Sequence, residues 1–395
     1  MPFFVRSNGR KNNRCLSETT MIQTYMLKLL TIRTLLSVRY RIIACVQKLL
    51  FSSKMPVSKI LIHRIGTFGD SIVTLPALSI IRRHYPHAQL DFVTTYATPL
   101  NLSTIVRKDF FSKIYLIQKQ NRKKELKALK HEHYDLYIEL PQNYGLIKTL
   151  RNMLVVRFLL GIKNAFGWDE GMFKLFVKEQ LTYAPPLRES ERFVRNLARN
   201  AITGTPDYPL QIEAPSAELL TLFQTPHKVV AFVIGTNVPA NKWPLSSWRS
   251  LAVALCKEGF SVAVIGGEQE KQDAHKIIAD LDRAYTFCGQ FSIAQSAGFL
   301  QTCTAAICHD TGAMHLCYAV HTPLVALFSS RQLASKWFPP EKGNAVLMQI
   351  LSCSGCFRKQ CENNLCLKEI TPDAVERQLH ELLKEIDENS PCRKL

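Results

Sequence analysis

Residues 59–86 read KILIHRIGTFGDSIVTLPALSIIRRHYP, and this stretch decides the fold. A short apolar run comes first, a turn with two glycines follows, and apolar residues then recur at helical spacing. A second apolar run, LDFVTT, begins at residue 90. Strand, loop, helix and strand in this order form the unit of a parallel sheet with right-handed crossovers.

The same alternation occurs on both sides of a polar, proline-containing passage at residues 202–217. Before this passage, runs such as YDLYIEL at 134–140 are apolar on both faces, which is typical of strands covered by helices on both sides. After it, the alternation restarts with KVVAFVIGT at 228–236 and continues to PLVALF at 323–328. The pattern predicts an α/β protein with two doubly wound domains, which suits a length of 395 residues.

Half of the basic excess lies at one end of the chain. The formal net charge is +18, and residues 1–55 contain ten Lys or Arg and one acidic residue, a balance of +9. Within this segment, basic residues interrupt the apolar run at residues 21–52 too often for a membrane-spanning helix. No small-residue cleavage site follows that would mark a secretory signal. Residues 1–55 are therefore a basic N-terminal extension with two open interpretations. The extension either contacts an anionic lipid surface or has no catalytic part and lies upstream of a start at Met55.

The first candidate site is GTFGD, at residues 66–70. Glycines at the carboxyl end of a strand let the backbone turn tightly and approach a ligand. The spacing GxxGD differs from the dinucleotide fingerprint GxGxxG, which weakens the case for a nicotinamide enzyme. Asp70 either caps the next helix or acts as a base at the ligand-binding edge. Its neighbours in the candidate site are Gly66, Thr67 and Gly69.

The loop GTNVPANKWP, at residues 235–244, follows the first strand of the second half. Its backbone N–H groups, hydroxyl, amide and lysine suit a phosphate or diphosphate. The alternative is an ordinary polar loop before a helix. The candidate donor-binding residues here are Thr236, Asn237 and Lys242.

Two more motifs follow strands of the second half. HDTGAMH, at 309–315, opens a helix whose N–H groups favour an anion, and the alternatives are a capping Asp310 and a packed His315. Two glutamates follow SVAVIGG and either accept from ribose hydroxyls or remain solvated beside the helix dipole. The candidate residues of the two motifs are Asp310, Thr311, Gly312, His315, Glu268 and Glu270.

Four of the twelve cysteines lie close together in the sequence. They are Cys353, Cys356, Cys361 and Cys366. The set can bind zinc tetrahedrally, although its C-x4-C spacings fit known zinc modules less well than two C-x2-C knuckles. Free thiols and a local disulfide are the alternatives to a structural zinc.

Four stretches, taken in chain order, resemble glycosyltransferase family 9, the lipopolysaccharide heptosyltransferases. They are RIGTFGDSIVTLPALSIIRRHYP, NKWPLSSWRSLA, HDTGAMHLCYAVHTPLVALF and CSGCFRKQCENNLCLKEITPDAV. The resemblance covers about residues 56–385. It implies an α/β GT-B fold, in which two Rossmann-like doubly wound domains face each other across a cleft. The implied parts are an acceptor-binding domain at 56–210, a nucleotide-sugar-binding domain at 216–370 and a helix at 371–395 that returns to the first domain.

The resemblance also implies an inverting, metal-independent transfer of heptose from ADP-heptose to the inner core of lipopolysaccharide, with no cofactor required. Asp70 matches the family's general base, and Lys242 matches its lysine before Trp-Pro. The family's D-T-G-x-x-H run corresponds to Asp310, Thr311, Gly312 and His315, and its ribose-contacting glutamate corresponds to Glu268 or Glu270. The implied partners are a nucleotide sugar, a lipid A-core acceptor and an anionic membrane surface, met peripherally by a cytoplasmic protein.

Two other functions remain open at this point. One is the same fold with another nucleotide sugar or acceptor, because loops determine specificity. The other is a nucleotide-sugar-binding protein without catalysis. Nucleic acid is not an expected partner, because the basic residues lack an interleaved aromatic platform.

Overall fold

A computed structural model of the protein describes residues 38–52, 56–94, 105–140, 145–168, 187–223, 228–332 and 334–389. The described residues form two compact units, with the division between Gln211 and Ile212. Each unit is built on one parallel sheet, so the predicted α/β class with two Rossmann-like domains is confirmed. Residues 1–37 of the predicted extension lie outside the described residues.

The first unit contains a five-stranded sheet with the order β3-β2-β1-β4-β5. Its strands are β1 (Lys59–His63), β2 (Gln89–Thr94), β3 (Lys113–Leu116), β4 (Leu136–Glu139) and β5 (Ala165–Phe166). The central strand β1 pairs in parallel with β2 on one side and with β4 on the other. Ile60, Leu61 and Ile62 of this strand are fully buried, as expected for a strand covered on both faces.

Six helices surround this sheet in the described part of the chain. They are α1 (residues 38–50), α2 (Phe68–Ile72), α3 (Leu75–His84), α4 (Arg122–His131), α5 (Leu146–Leu154) and α6 (Glu189–Arg199). A π-helical turn, Val155–Leu159, continues α5. The helix α3 has a proline in its first turn, where the missing N–H needs no partner, and it packs against α6.

Helix α1 belongs to the core of the first unit, although it lies within the predicted extension. Tyr40 is 4% exposed and Ile43 is fully buried. Both join the apolar cluster that contains Leu61 of β1 and Met153 of α5. Residues 38–50 therefore contribute to the stability of this unit, in addition to any role at a surface.

The second unit contains a six-stranded sheet with the order β11-β10-β9-β6-β7-β8. Its strands are β6 (Val229–Val233), β7 (Ser261–Ile265), β8 (Ala284–Thr286), β9 (Ala305–His309), β10 (Leu324–Phe328) and β11 (Asn344–Met348). Its helices are α7 (Ala217–Thr221), α8 (Leu245–Lys257), α9 (Lys271–Ile278), α10 (Ile293–Thr302), α11 (Gly312–Ala319), α12 (Leu365–Lys368) and α13 (Pro372–Asn389). Short 3-10 turns at Pro239–Asn241 and Glu268–Glu270 precede α8 and α9.

The last helix, α13, packs within the second unit. Val375, Leu379 and Leu382 are buried in the cluster that contains Trp248 of α8. This apolar face covers the core of the second unit, and the implied return of residues 371–395 to the first domain stays a prediction. Among the described residues, no helix has both the length and the apolar character that crossing a membrane requires.

Replacing Ile43 by alanine tests the place of α1 in the core. Ile43 is fully buried, so we expect Ile43→Ala to lower the free energy of unfolding by about 2–5 kcal/mol through lost burial and a cavity. The neighbouring Ile42 is 41% exposed, and Ile42→Ala should change it by less than about 0.5 kcal/mol. Urea unfolding of the two variants measures the difference. Equal stability of both variants would contradict the packing of α1.

Candidate active site

Two groups of predicted site residues follow strand ends, one group in each unit. In a parallel sheet all carboxyl ends lie at the same edge, which is where open α/β sheets bind ligands. The first group follows β1, and the second follows β6, β7 and β9. Chain topology alone therefore brings each group to one edge of its own sheet.

Asp70 is held in one orientation by the start of α2. Thr67 is the N-cap residue, and Asp70, the third residue of the helix, forms a capping box with it rather than being the N-cap itself. The Oδ2 atom of Asp70 accepts hydrogen bonds from the Thr67 N–H at 2.8 Å and from the Thr67 hydroxyl at 2.9 Å. The Asp70 side chain nevertheless remains 21% exposed. Capping and proton acceptance are thus compatible at this residue.

A buried arginine contacts the other oxygen of Asp70. The Arg64 side chain is 2% exposed, and its Nη2 atom lies 3.3 Å from Asp70 Oδ1 and 3.5 Å from Glu189 Oε1. Glu189 in turn pairs with Arg192 at 2.7 Å. The guanidinium of Arg64 also lies over the ring of Phe193, 4.7 Å from its centroid. These contacts hold Arg64 in place, and Arg64 then orients Asp70.

Gly66 leaves room for the Asp70 side chain. A Cβ atom at Gly66 would lie 2.2 Å from the Cβ of Asp70 and 2.9 Å from its Oδ2. No side chain fits in that space without displacement of the backbone. The first glycine of GTFGD is therefore required by the close approach of Asp70.

A second polar cluster lies at the same edge of the first sheet. His63 and Glu139 are cross-strand partners at the carboxyl ends of β1 and β4, with His63 Nδ1 2.8 Å from Glu139 Oε2. The same oxygen accepts hydrogen bonds from the Tyr137 hydroxyl at 2.5 Å and from Asn152 Nδ2 at 3.0 Å. The Oε1 atom of Glu139 is buried and has no hydrogen-bond partner among the described residues. The sequence motifs did not indicate this cluster.

In the second unit, buried hydrogen bonds position the backbone around Lys242. The Trp243 N–H donates to His309 Nε2 at 2.8 Å, and Asn364 Nδ2 donates to the Lys242 carbonyl at 2.9 Å. Burial lowers the pKa of His309 to about 3, so its ring is neutral and accepts this hydrogen bond. Lys242 itself is exposed, and its ammonium group is available to an anion.

Asp310 is joined to the loop after β6 and lies near the end of β10. Asn241 Nδ2 donates to the Asp310 carbonyl at 3.0 Å, and Ser329 donates to Asn241 Oδ1 at 2.6 Å. Burial raises the pKa of Asp310 to about 6, against the opposing effects of Arg331 and of the hydrogen bond from Asn241. These contacts link the loops that follow β6, β9 and β10 into one surface.

The two glutamates after β7 lie in different surroundings. Glu270 is 8% exposed, and its Oε2 accepts from the Gly267 N–H at 2.9 Å. A Cβ atom at Gly235, after β6, would lie 3.2 Å from the Glu270 carboxyl carbon. Glu268 has a side chain that is 73% exposed and pairs with Lys271 at 2.7 Å. Glu270 is therefore the glutamate that lies against the loop of the predicted diphosphate-binding residues.

The remaining predicted residues of this unit lie around these loops. Thr236 is 9% exposed, and its hydroxyl oxygen accepts from the Val238 N–H at 3.2 Å, whereas Asn237 is exposed. Thr311 is the N-cap of α11 and makes no side-chain capping bond, and Gly312 is the first helical residue. His315 is 4% exposed, with Nδ1 2.9 Å from the Tyr318 hydroxyl, as the packed interpretation expects.

The cysteine-rich loop, at residues 353–366, is hydrogen-bonded to the loop that follows β10. Gly355 N–H donates to the Ser330 carbonyl at 2.8 Å, and Arg331 Nη2 donates to the Phe357 carbonyl at 3.1 Å.

A tetrahedral zinc site would bring thiolate sulfurs to within about 4 Å of one another, given Zn–S distances of about 2.3 Å. No three of the four predicted sulfurs lie within 4.8 Å of one another, and all four are free thiols. The four thiols therefore do not fit a zinc ion in this arrangement.

Several residues of both surfaces were not among the predicted site residues, although two of them, Asn241 and His309, lie within the quoted candidate motifs. They are Arg64, Glu189, Arg192, His63, Glu139, Asn241, His309, Ser329, Arg331 and Asn364. Arg64, His63, Glu139 and His309 carry a signal in the sequence, because each is a polar residue at the end of an apolar strand. Asn241 lies beside Lys242 in the quoted loop, and no local spacing identifies the remaining residues.

Comparison with known proteins points to one family. Residues 122–367 match the family model described as glycosyltransferase family 9 (heptosyltransferase). The lipopolysaccharide heptosyltransferase 1 of Pseudomonas aeruginosa is 25% identical over 363 residues, covering 82% of this chain and 98% of that protein.

Solved structures show the same fold. The glycosyl transferase family 9 protein of Veillonella parvula has a TM-score of 0.61 at 17% identity, covering 85% of this chain and all of that one. The E. coli heptosyltransferase WaaC with ADP has a TM-score of 0.57 at 20% identity, covering 83% and 98% of the two chains. With the two parallel sheets, these similarities confirm the GT-B fold class.

Substitution of Gly66 tests the close approach to Asp70. We expect Gly66→Ala to lower the free energy of unfolding by about 1–3 kcal/mol, because the new methyl group displaces the backbone or Asp70. Gly204, in the same unit, is a matched control, because a Cβ there meets its nearest atom at 3.6 Å. Gly204→Ala should be neutral or stabilising, by up to about 1 kcal/mol. Urea unfolding compares the two, and a Gly66→Ala protein as stable as Gly204→Ala would refute the steric argument.

Proposed function

The chain belongs to glycosyltransferase family 9, the heptosyltransferases, and we propose that it transfers a heptose from ADP-heptose to a hydroxyl group of the lipopolysaccharide inner core. That the chain is a glycosyltransferase related to the enzymes of lipopolysaccharide assembly follows from the family match and the curated relatives. The choice of donor is supported by the E. coli relative whose structure contains ADP. The roles of individual residues are inferred from the geometry of each unit.

The first unit supplies the general base. In an inverting transfer, the acceptor oxygen attacks the anomeric carbon while the bond to the diphosphate breaks and ADP leaves with the electron pair. The proton of the acceptor hydroxyl passes to Asp70. The observation that carries this assignment is the Asp70 carboxylate, partly exposed at the carboxyl end of β1 and oriented by both Thr67 and Arg64.

The second unit holds the donor. The exposed ammonium group of Lys242 and the N–H groups at Thr311 and Gly312 provide positive potential for the diphosphate, and Asn237 offers a further polar contact. These groups stabilise the charge that develops on the departing ADP, and electrostatic stabilisation of this kind is usually the largest single contribution to catalysis. Since protein groups can supply this charge, the proposed reaction requires no metal ion or other cofactor.

Glu270 is the proposed ribose-binding residue. Its carboxylate lies at the ends of two adjacent strands, β6 and β7, against Gly235 and Gly267. A carboxylate in this position can accept from ribose hydroxyls, as acids do in related nucleotide sites. Glu268 is assigned to the protein surface, where it pairs with Lys271.

The acceptor is an anionic lipid in this proposal, so the enzyme works at a membrane surface as a peripheral protein. Basic residues of the first unit then have an electrostatic role in bringing the enzyme to its acceptor. Asp310 holds the loops of the donor surface together, because its carbonyl accepts a hydrogen bond from Asn241. His315 packs against Tyr318 in the first turn of α11 and so supports the start of that helix.

Asparagine at position 70 tests the general base. We expect Asp70→Asn to lower kcat by about 100-fold or more, because the amide cannot take the acceptor proton. Calorimetry should show ADP binding unchanged, since the donor is held by the other unit. The control is Asp207→Asn, on a side chain that is 55% exposed and paired with Arg83, which should retain full turnover. Full turnover of Asp70→Asn would leave Asp70 with a capping role alone.

Paired glutamine variants test the ribose contact. Glu270→Gln should raise the Kd for ADP by about tenfold or more, because a charge-assisted hydrogen bond is lost. Glu268→Gln makes the same chemical change on the exposed neighbour and should leave this Kd within about twofold. Calorimetry with ADP measures both. A larger effect of Glu268→Gln would exchange the two assignments.

A donor panel separates this function from its alternatives. Purified protein is incubated with ADP-heptose or other nucleotide sugars and a truncated core acceptor, and the product is identified by mass. Turnover with another donor alone would change the assigned substrate. Binding of ADP without turnover of any donor would indicate a binding protein.

A further inference from the structure

The structure points to a second functional surface on the first unit. We propose that helix α1 and the helical segment Leu146–Leu159 together form a lipid-docking surface that inserts apolar side chains into an anionic bilayer. We call these two segments the docking face. The inference deepens the proposed function, because it rests on an acceptor anchored in a membrane, and it names the residues that meet that membrane.

The two segments pack one side of each helix on the same hydrophobic core. The other side of each helix therefore faces away from that core. Tyr40 and Ile43 of α1 are buried in one cluster with Met153 and Val156 of the second segment. These buried residues recur three or four positions apart, which places them along one side of each helix.

Contacts at the end of α1 join it to the chain that follows the second segment. Phe51 stacks on Trp168 with ring centroids 5.1 Å apart, and Gln47 Oε1 accepts from the Trp168 N–H at 3.2 Å. The Ser52 N–H donates to the carbonyl of Lys163, just beyond the π-helical turn, at 3.1 Å. The end of α1 is thus held by residues 163–168, which follow the second segment closely in the chain.

Exposed apolar side chains are concentrated on the docking face. Among the described residues, eleven large hydrophobic side chains are exposed, and seven of them belong to these two segments. They are Val38, Ile42, Leu49, Ile147, Leu154, Phe158 and Leu159. Ile147 is 82% exposed, Leu49 79% and Phe158 69%. Soluble proteins rarely leave such residues together in water unless they contact a partner or a membrane.

The charge of the same segments identifies the partner. The docking face contains six basic residues and no acidic residue. They are Arg39, Arg41, Lys48, Lys148, Arg151 and Arg157. Basic residues beside exposed apolar ones are typical of helices that lie in the interface of an anionic membrane. A second copy of this chain would bring six positive charges against six more, which disfavours a dimer through this face.

Helix α4 provides a contrast within the same unit. It contains five Lys or Arg and one glutamate, but none of its large hydrophobic side chains is exposed. Such a helix attracts anions through charge alone. If charge alone determined membrane binding, α4 would contribute as much as the docking face.

Vesicle binding by the full-length protein tests the docking face. Cosedimentation is measured with vesicles of phosphatidylglycerol and phosphatidylcholine, and with phosphatidylcholine alone. We expect binding to the anionic vesicles only. Ile147→Glu with Phe158→Glu, and separately Lys148→Glu with Arg151→Glu, should each weaken it by about tenfold or more.

The matched control is on α4. Lys127→Glu with Lys130→Glu makes the same charge change at the same spacing as the Lys148 and Arg151 pair, on exposed positions. This variant should bind within about threefold of the wild type. Equal losses from the α4 pair and the docking-face pair would overturn the proposal in favour of charge alone. Retained binding by both docking-face variants would overturn it outright.

Two further measurements separate the outcomes. Circular dichroism confirms that each variant is folded, which is expected because all substituted positions are exposed. Light scattering measures the mass in solution, and a wild-type dimer that Ile147→Glu with Phe158→Glu converts to a monomer would identify the face as a contact between copies and overturn lipid docking. Turnover on a water-soluble truncated acceptor tests the proposed function separately, since it requires no vesicle.

Discussion

Parallel pairing of β1 with β2 and β4, and of β6 with β7 and β9, is the constraint on which both candidate surfaces depend. It places the ends of neighbouring strands, and so the loops after them, at one edge of each sheet. The GTFGD turn, the glutamates after β7 and the helix start after β9 are far apart in the chain. Each reaches its edge because the strand before it has a fixed register.

Buried polar residues then orient the groups at each edge. Arg64 in the first unit and His309 in the second are both at most 2% exposed, and each contacts a residue or backbone segment of the candidate site. Removing one partner of such a buried contact leaves an unpaired polar group, which costs more than the contact itself contributes. The candidate site residues are therefore positioned by groups that are themselves buried.

Some elements could be predicted from local pattern and others could not. The central strands β1, β2, β4, β6, β7, β9 and β10 follow apolar runs in the sequence, because a central strand must be apolar on both faces. The edge strand β3 also begins an apolar run, KIYLI at 113–117. The edge strands β5, β8 and β11 were not indicated, and two of them have only two or three residues. Helix α1 was assigned to an extension, because its charges concealed the spacing of Tyr40 and Ile43.

The sequence by itself determined the two-domain α/β class, the family and the strand ends at which Asp70, Lys242 and the Asp310–His315 segment lie. These features depend on short-range spacing, which a single chain displays directly. Tertiary structure alone decided that Glu189 contacts Arg64 behind Asp70, that Glu270 rather than Glu268 lies against the loop after β6, and that α1 packs with the Leu146–Leu159 segment. Some of these contacts join residues more than a hundred positions apart in the chain. Only packing and burial select them from the many pairs that a sequence permits.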